Sequence, residues 1–241
     1  MAGVSVSDLV ASSTRRDQVR KWGTQLLAVE DGSAAVPSAW FDTEDHRPTA
    51  LPAGARILGF ITTDGMVAAK GISREGTQMV QSLENVRDDI TGIEQTLAVT
   101  FGQASSAWVN ALYHGKLPSE FPAEAHAPWI YHDGEITDYP FLRLHVLMQD
   151  GVGPQAFYRY EYGYSAKIIS VNDRTLNRTT AEGLGMTFGL FKDVAVGRTL
   201  TRAENGPGFG TVEQVWAGRR AGVVGNHARP PPCWFPRFPE K

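Results

Sequence analysis

Between Ile93 and Phe101 the side chains alternate. Ile93, Leu97, Val99 and Phe101 share one parity, Glu94, Thr96, Ala98 and Thr100 take the other, and only Gln95 breaks the apolar row. A period of two places the apolar set on one face of a strand. Shortly afterwards the period changes: Trp108 with Leu112 and Val109 with Tyr113 are four residues apart, Ser105 or Ser106 stands ready as an N-cap, and Gly115 supplies a stop. The pattern is that of a strand running directly into one short amphipathic helix.

The surrounding pattern is that of strands. Leu142, Leu144, Val146 and Met148 alternate within Phe141 to Met148; Leu184, Met186, Phe188 and Leu190 do so later; Trp129-Ile130-Tyr131 reads as a further strand. The run Phe157-Tyr158-Arg159-Tyr160-Glu161-Tyr162-Gly163-Tyr164 leads into Ile168-Ile169-Ser170-Val171, with the aromatic and β-branched residues that suit a pleated surface. Ile57 to Ile61 is a short apolar run that Thr62-Thr63-Asp64-Gly65 closes as a turn, with Met66 to Lys70 as the return strand. Gly71 to Asp89 is mostly polar, carries Ile72, Met79, Val80, Leu83 and Val86 at scattered positions, and reads as a long excursion from the sheet. With 25 Gly and 14 Pro, turns are frequent, and the fold class expected is mainly β.

Three segments follow from these patterns. Residues 1–55, broken by Asp31-Gly32-Ser33, Val36-Pro37, Arg47-Pro48 and Leu51-Pro52-Ala53-Gly54, read as an N-terminal arm whose Trp22, Trp40 and Phe41 must dock on something. Residues 56–192 hold the β core. Residues 193–241 read as a Gly/Pro-rich C-terminal extension, since the Pro230-Pro231-Pro232 run removes backbone donors and blocks strand pairing.

Several chemistries find no support. A formal net charge of -3 disfavours a surface built to hold nucleic acid, which depends on Lys and Arg replacing phosphate counterions. The single Cys233 excludes an intramolecular disulfide framework, and structural zinc would need Cys and His pairs that are missing. No G-x-S-x-G elbow, H-E-x-x-H helix or complete phosphate loop occurs, so no catalytic, cofactor or metal residue is assigned. The start Met1 to Val10 has no charged lead into an apolar run, and no stretch is long and apolar enough to span a bilayer, so membrane insertion is not expected.

The order of these pieces resembles the major tail tube protein of long-tailed, non-contractile, lambda-like bacteriophages. Leu58 to Gly65 looks like the family's first hairpin, and Gly71 to Asp89, with Val86-Arg87-Asp88-Asp89, looks like its polar excursion. Thr96 to Gln103 running into Trp108 to Gly115 is similar to its strand followed by its one helix, and Tyr164 to Ile169 with Asn177 to Phe188 is similar to its closing strand pair. The likeness covers roughly residues 56–192. It implies a tail-tube-type β-sandwich or barrel with extended arms, and six-membered rings of identical subunits stacked into a hollow tube. The tube would lie in the virion tail, assemble in the bacterial host cytoplasm, and meet tape measure, tail terminator and tail tip proteins, with DNA only as passing cargo. It also implies that 71–89, through Arg74, Glu75, Met79, Val80, Leu83, Val86 and Asp88, makes contacts between rings; the ends have no clear match in the family pattern, and by the same logic of docking on assembly their Trp22, Trp40, Phe41, Trp216 and Trp234 are expected to lash subunits together. A lumen that lets DNA slide should repel phosphate, and residues 60–95 hold six acidic side chains (Asp64, Glu75, Glu84, Asp88, Asp89, Glu94) against three basic ones (Lys70, Arg74, Arg87).

Two other classes remain open. A carbohydrate-binding β-sandwich would use Trp129, Tyr131 and the tyrosines near 160; an enzyme would have to assemble a site from distant residues such as His132, Asp133 and His145.

Overall fold

A computed structural model of the protein describes residues 5–7, 19–80, 82–132 and 138–209. Among these residues it is mainly β: eight strands, β1 (Thr24–Asp31), β2 (Arg56–Ile57), β3 (Ile61–Met79), β4 (Ser82–Phe101), β5 (Leu142–Asp150), β6 (Phe157–Val171), β7 (Leu184–Phe191) and β8 (Leu200–Asn205), with the helix α1 (Ala107–Tyr113) following β4. The strands form a single sheet in the order β2-β1-β5-β6-β7-β4-β3, and β8 adds to β6. All pairings are antiparallel.

Strand β6 is the hinge of this arrangement. Its first half, Tyr158 to Gly163, pairs with β8, and its second half, Ser165 to Val171, pairs with β7, while β5 lies along the opposite edge. Register breaks at Leu142/Leu144 and Ile168/Ser170 add the local twist that lets the sheet curl. The two ends of the sheet are joined by one short passage of chain. Arg56 and Ile57 pair with β1, Leu58 N–H donates to Leu27 O (3.0 Å), Gly102 N–H donates to Phe60 O (2.9 Å), and Ile61 pairs with Phe101. The sheet is thereby rolled around a core of Leu27, Val29, Leu97, Val99, Phe101, Leu144, Val146, Met186 and Phe188, which α1 covers through Val109, Ala111 and Leu112.

The helix ends as its sequence implies. Gly115 takes φ +71°, its N–H donates to Leu112 O (3.0 Å), and Lys116 N–H donates to Ala111 O (2.9 Å), the paired bonds that satisfy the last carbonyls of a helix. Ser106 occupies the N-cap by backbone position, without a side-chain cap bond.

Four expectations are corrected. The segment before Arg56 is not an arm throughout, because Thr24–Asp31 is an interior strand paired with β5 along its whole length. The sheet does not stop at Lys192, because Leu200–Asn205 pairs with β6. Thr62 to Gly65 is a bulge and not a hairpin turn: Ile61 faces Phe101 and Met66 faces Val99, so the extra residues loop out of a strand that continues to Met79. Trp129 to Tyr131 is not a strand. The Pro-rich segment with Trp216 and Trp234 lies outside the described residues.

Candidate assembly interface

The stretch read as a polar loop is the distal half of one long hairpin. β3 and β4 pair from Met66 with Val99 outward to Met79 with Ser82. β7 accompanies β4 only from Phe101 to Gln95. Beyond Lys70 and Gln95 the two strands therefore run on without further sheet, by roughly 30 Å at the usual strand rise. An isolated two-stranded ribbon is marginal in water, so the outer half of this hairpin has little burial of its own to hold it.

Its two faces differ. On β3, Met66, Ala68, Lys70, Ile72 and Arg74 share a face, opposed on β4 by Val99, Leu97, Gln95, Ile93 and Ile90. That face is the core face of the domain carried outward: Leu97 and Val99 are buried, whereas Ile72, Ile90 and Ile93 are 49%, 55% and 54% exposed. The reverse face pairs Gly71 with Glu94, Ser73 with Gly92, Glu75 with Asp89 and Thr77 with Arg87. It is acidic and rich in small residues. Glu75 directly opposite Asp89 is a like-charge pair, which is unfavourable in a free ribbon.

Two exposed ion pairs lie on the ribbon, Arg74 to Asp88 (2.6 Å) and Arg87 to Asp89 (2.6 Å). Of the residues assigned to this interface from the sequence, Arg74, Glu75 and Asp88 lie on the exposed strands and Val80 stands fully exposed at the end of the hairpin. Met79 pairs with Ser82, and Leu83 and Val86 fall where the register slips between Met79 and Thr77. Ile72, Ile90 and Ile93 complete the apolar face. Ile93 already continued the alternation of β4, but the placing of Ile72 opposite Ile93 and of Ile90 opposite Arg74 depends on register across the hairpin.

Where the ribbon leaves the domain, the rolled sheet is open. A recess of about 350 Å³ has Leu97, Leu144, Val146 and Leu190 as its floor and Lys70, Gln95 and Arg202 at its rim. Arg202 Nε donates to the buried Glu161 (2.6 Å), while Lys70 enters no ion pair among the described residues.

The aromatics of the first segment dock on their own chain. Trp40 packs edge-on against Tyr160 (5.3 Å between centroids) and tilted against Tyr162 (5.1 Å), with Phe41 and Val36 beside it. Trp22 lies under the Arg159 guanidinium (4.6 Å). Beneath Trp40 runs a buried polar chain, in which Tyr160 O–H lies 2.6 Å from His145 Nδ1 and His145 Nε2 lies 3.3 Å from Glu30 Oε2. Burial, reinforced by Arg143, holds the His145 pKa down at about 4, so the ring is neutral at pH 7. The consistent tautomer has Tyr160 O–H donating to Nδ1 and Nε2–H donating to Glu30. Burial raises the Glu30 carboxyl above its ordinary range, a shift that Arg143 partly offsets and Asp31 adds to, and burial also raises Tyr160.

The residues weighed for other chemistries are dispersed. Tyr160, Tyr162 and Tyr164 are buried and offer no ring face to a sugar, whereas Trp129 stacks on Tyr131 (5.4 Å) and Tyr131 on His114 (5.0 Å). His145 is fully buried, His132 is exposed, and Asp133 lies outside the described residues. Among the described residues no cluster of His, Cys, Asp and Glu could hold a metal ion, and no helix is long and apolar enough to cross a membrane. No family model and no curated protein matches the chain.

Proposed function

We propose that this protein is a self-assembling structural subunit of the tail-tube type, forming hexameric rings that stack into the hollow tail tube of a long-tailed phage. The observation that carries the proposal is the long hairpin, whose outer half extends the domain's core face into solvent as Ile72, Ile90 and Ile93. Burying three half-exposed isoleucines is worth about 1 kcal/mol each, a driving force that repeats with every subunit added. Among the described residues β3 also presents a long free edge, a surface that invites pairing with a further chain and that ring closure would satisfy.

The resemblance in residue pattern supplies the ring and tube. The excess of acidic over basic side chains in residues 60–95 suits a conduit past which DNA slides. The subunit would work in the virion tail, beside tape measure, terminator and tip proteins.

Negative-stain electron microscopy of the purified protein across a concentration series, with light scattering on the same samples, tests this directly. Rings or hollow tubes are the expected result. A species that stays monomeric at the highest concentration would overturn it.

A further inference from the structure

The two faces of the projecting hairpin are complementary to each other, and the geometry points to successive copies stacking their hairpins face to back, the isoleucine face of one on the acidic face of the next. This rests on the assembly proposed above and names the contact within it. The front face carries Ile72, Ile90 and Ile93 flanked by Lys70 and Arg74, with Asp88 already paired to Arg74. The back face carries Glu94, Glu75 and Asp89, with Arg87 already paired to Asp89.

Front and back are thus of opposite sign, and both belong to the same segment. That occupant is a second copy of this chain and no other protein is required. Shape agrees with charge. Between the acidic residues the back face has Gly71, Ser73 and Gly92, which leave shallow hollows along the ribbon, and the front face offers branched side chains to fill them. A cation from the neighbour's front face would also relieve the repulsion between Glu75 and Asp89, which Arg87 meets on only one side. An interface that joins two different patches is heterologous, so it propagates from copy to copy and closes into a ring when the rotation permits.

Charge reversal tests the arrangement. Lys70→Glu alone, and Glu75→Lys with Glu94→Lys together, are each expected to raise the concentration needed for assembly at least tenfold while leaving the monomer's melting temperature unchanged. An equimolar mixture should assemble at the parent's threshold, because alternating copies restore opposite signs at every junction. A second measurement is independent of charge. In a Cys233→Ser background, separately purified Ile72→Cys and Ser73→Cys proteins should form mixed disulfide dimers in preference to either homodimer.

If the parent forms tubes but both reversed variants assemble as it does, or homodimers dominate, face-to-back stacking is wrong and the tube assignment stands. If the mixture fails to recover, the stacking is likewise wrong. If the parent never assembles, both fall together.

Discussion

The inner and outer halves of the β3–β4 hairpin share strands, register and side-chain parity, and differ in what covers them. Inside the domain, Leu97 and Val99 face α1 and the far wall of the rolled sheet. Outside it, Ile93 and Ile72 continue the same face with nothing over them among the described residues. The inner half is therefore maintained by burial within one chain, and under the assembly proposed above the outer half would be buried between chains. Deleting residues 74–86 separates the two roles most sharply. It joins Ser73 to Arg87 and leaves residues 87–91 to make the turn before Gly92 pairs with Ser73, so the inner sheet is untouched. Complete loss of rings and tubes, with a monomer that still melts cooperatively, is the expected outcome by electron microscopy and calorimetry. Normal tubes from the deletion would end the assignment of this segment to assembly.

Two substitutions on one face of β4 sharpen the same contrast. Leu97→Ala should destabilise the monomer by about 2–5 kcal/mol, because a buried side chain leaves a cavity in the core. Ile93→Ala, on the same strand with the same parity, should change monomer stability by less than about 0.5 kcal/mol, as surface substitutions do, yet weaken assembly measurably. Chemical denaturation of the monomer and light scattering of the assembly distinguish the two. Equal losses of monomer stability would show that the outer half is already covered.

Acid should act on the inner structure through His145. His145 binds its proton near pH 4 in the folded chain and near its ordinary 6.5 when unfolded, so between those values the unfolded state holds more protons. Stability contributed by the neutral ring is present above about pH 6.5 and lost as pH falls towards 4, amounting to less than about 3 kcal/mol. Glu30, which burial raises above the ordinary carboxyl range, acts in the opposite sense, losing stability as pH rises through its own window and so reducing the net slope. Melting temperatures of the parent and of His145→Asn between pH 7 and 4 check this. A slope unchanged by the substitution would remove His145 as its source.

What was legible in the sequence follows the same division. Strands with large apolar residues on one face and mostly polar or small residues on the other declared themselves by alternation, as β4, β5 and β7 did, and the helix with its Gly115 stop was fixed by local chemistry. β1 was not legible because it is buried on both faces and its apolar run, Leu26 to Val29, fills both parities, so no alternation marks it. Thr62 to Gly65 misled for another reason. An Asp-Gly step with Gly65 at φ +71° serves a bulge as well as a turn, and only the pairing of Met66 with Val99 decides between them. Trp40 was rightly too apolar for solvent, but its partners, Tyr160 and Tyr162, lie far along the chain and belong to the same subunit. The chain from Glu30 through His145 to Tyr160 was likewise invisible, since its members come from three strands.

The smallest effect should come from the ion pair between Arg74 and Asp88. Both side chains are about half exposed, so their attraction is screened by water and salt, and holding two long side chains in one geometry costs entropy. Arg74→Ala should therefore lower monomer stability by no more than about 1 kcal/mol. If the outer hairpin is buried on assembly, the same pair loses water on both sides, and removing Arg74 leaves the Asp88 carboxylate uncompensated in the interface. The substitution should then weaken assembly more than it weakens the fold, and added salt should matter less to the assembled state than to the monomer. Equal effects on both would mean that the pair stays in water throughout, and that this end of the hairpin stands clear of the neighbouring subunit.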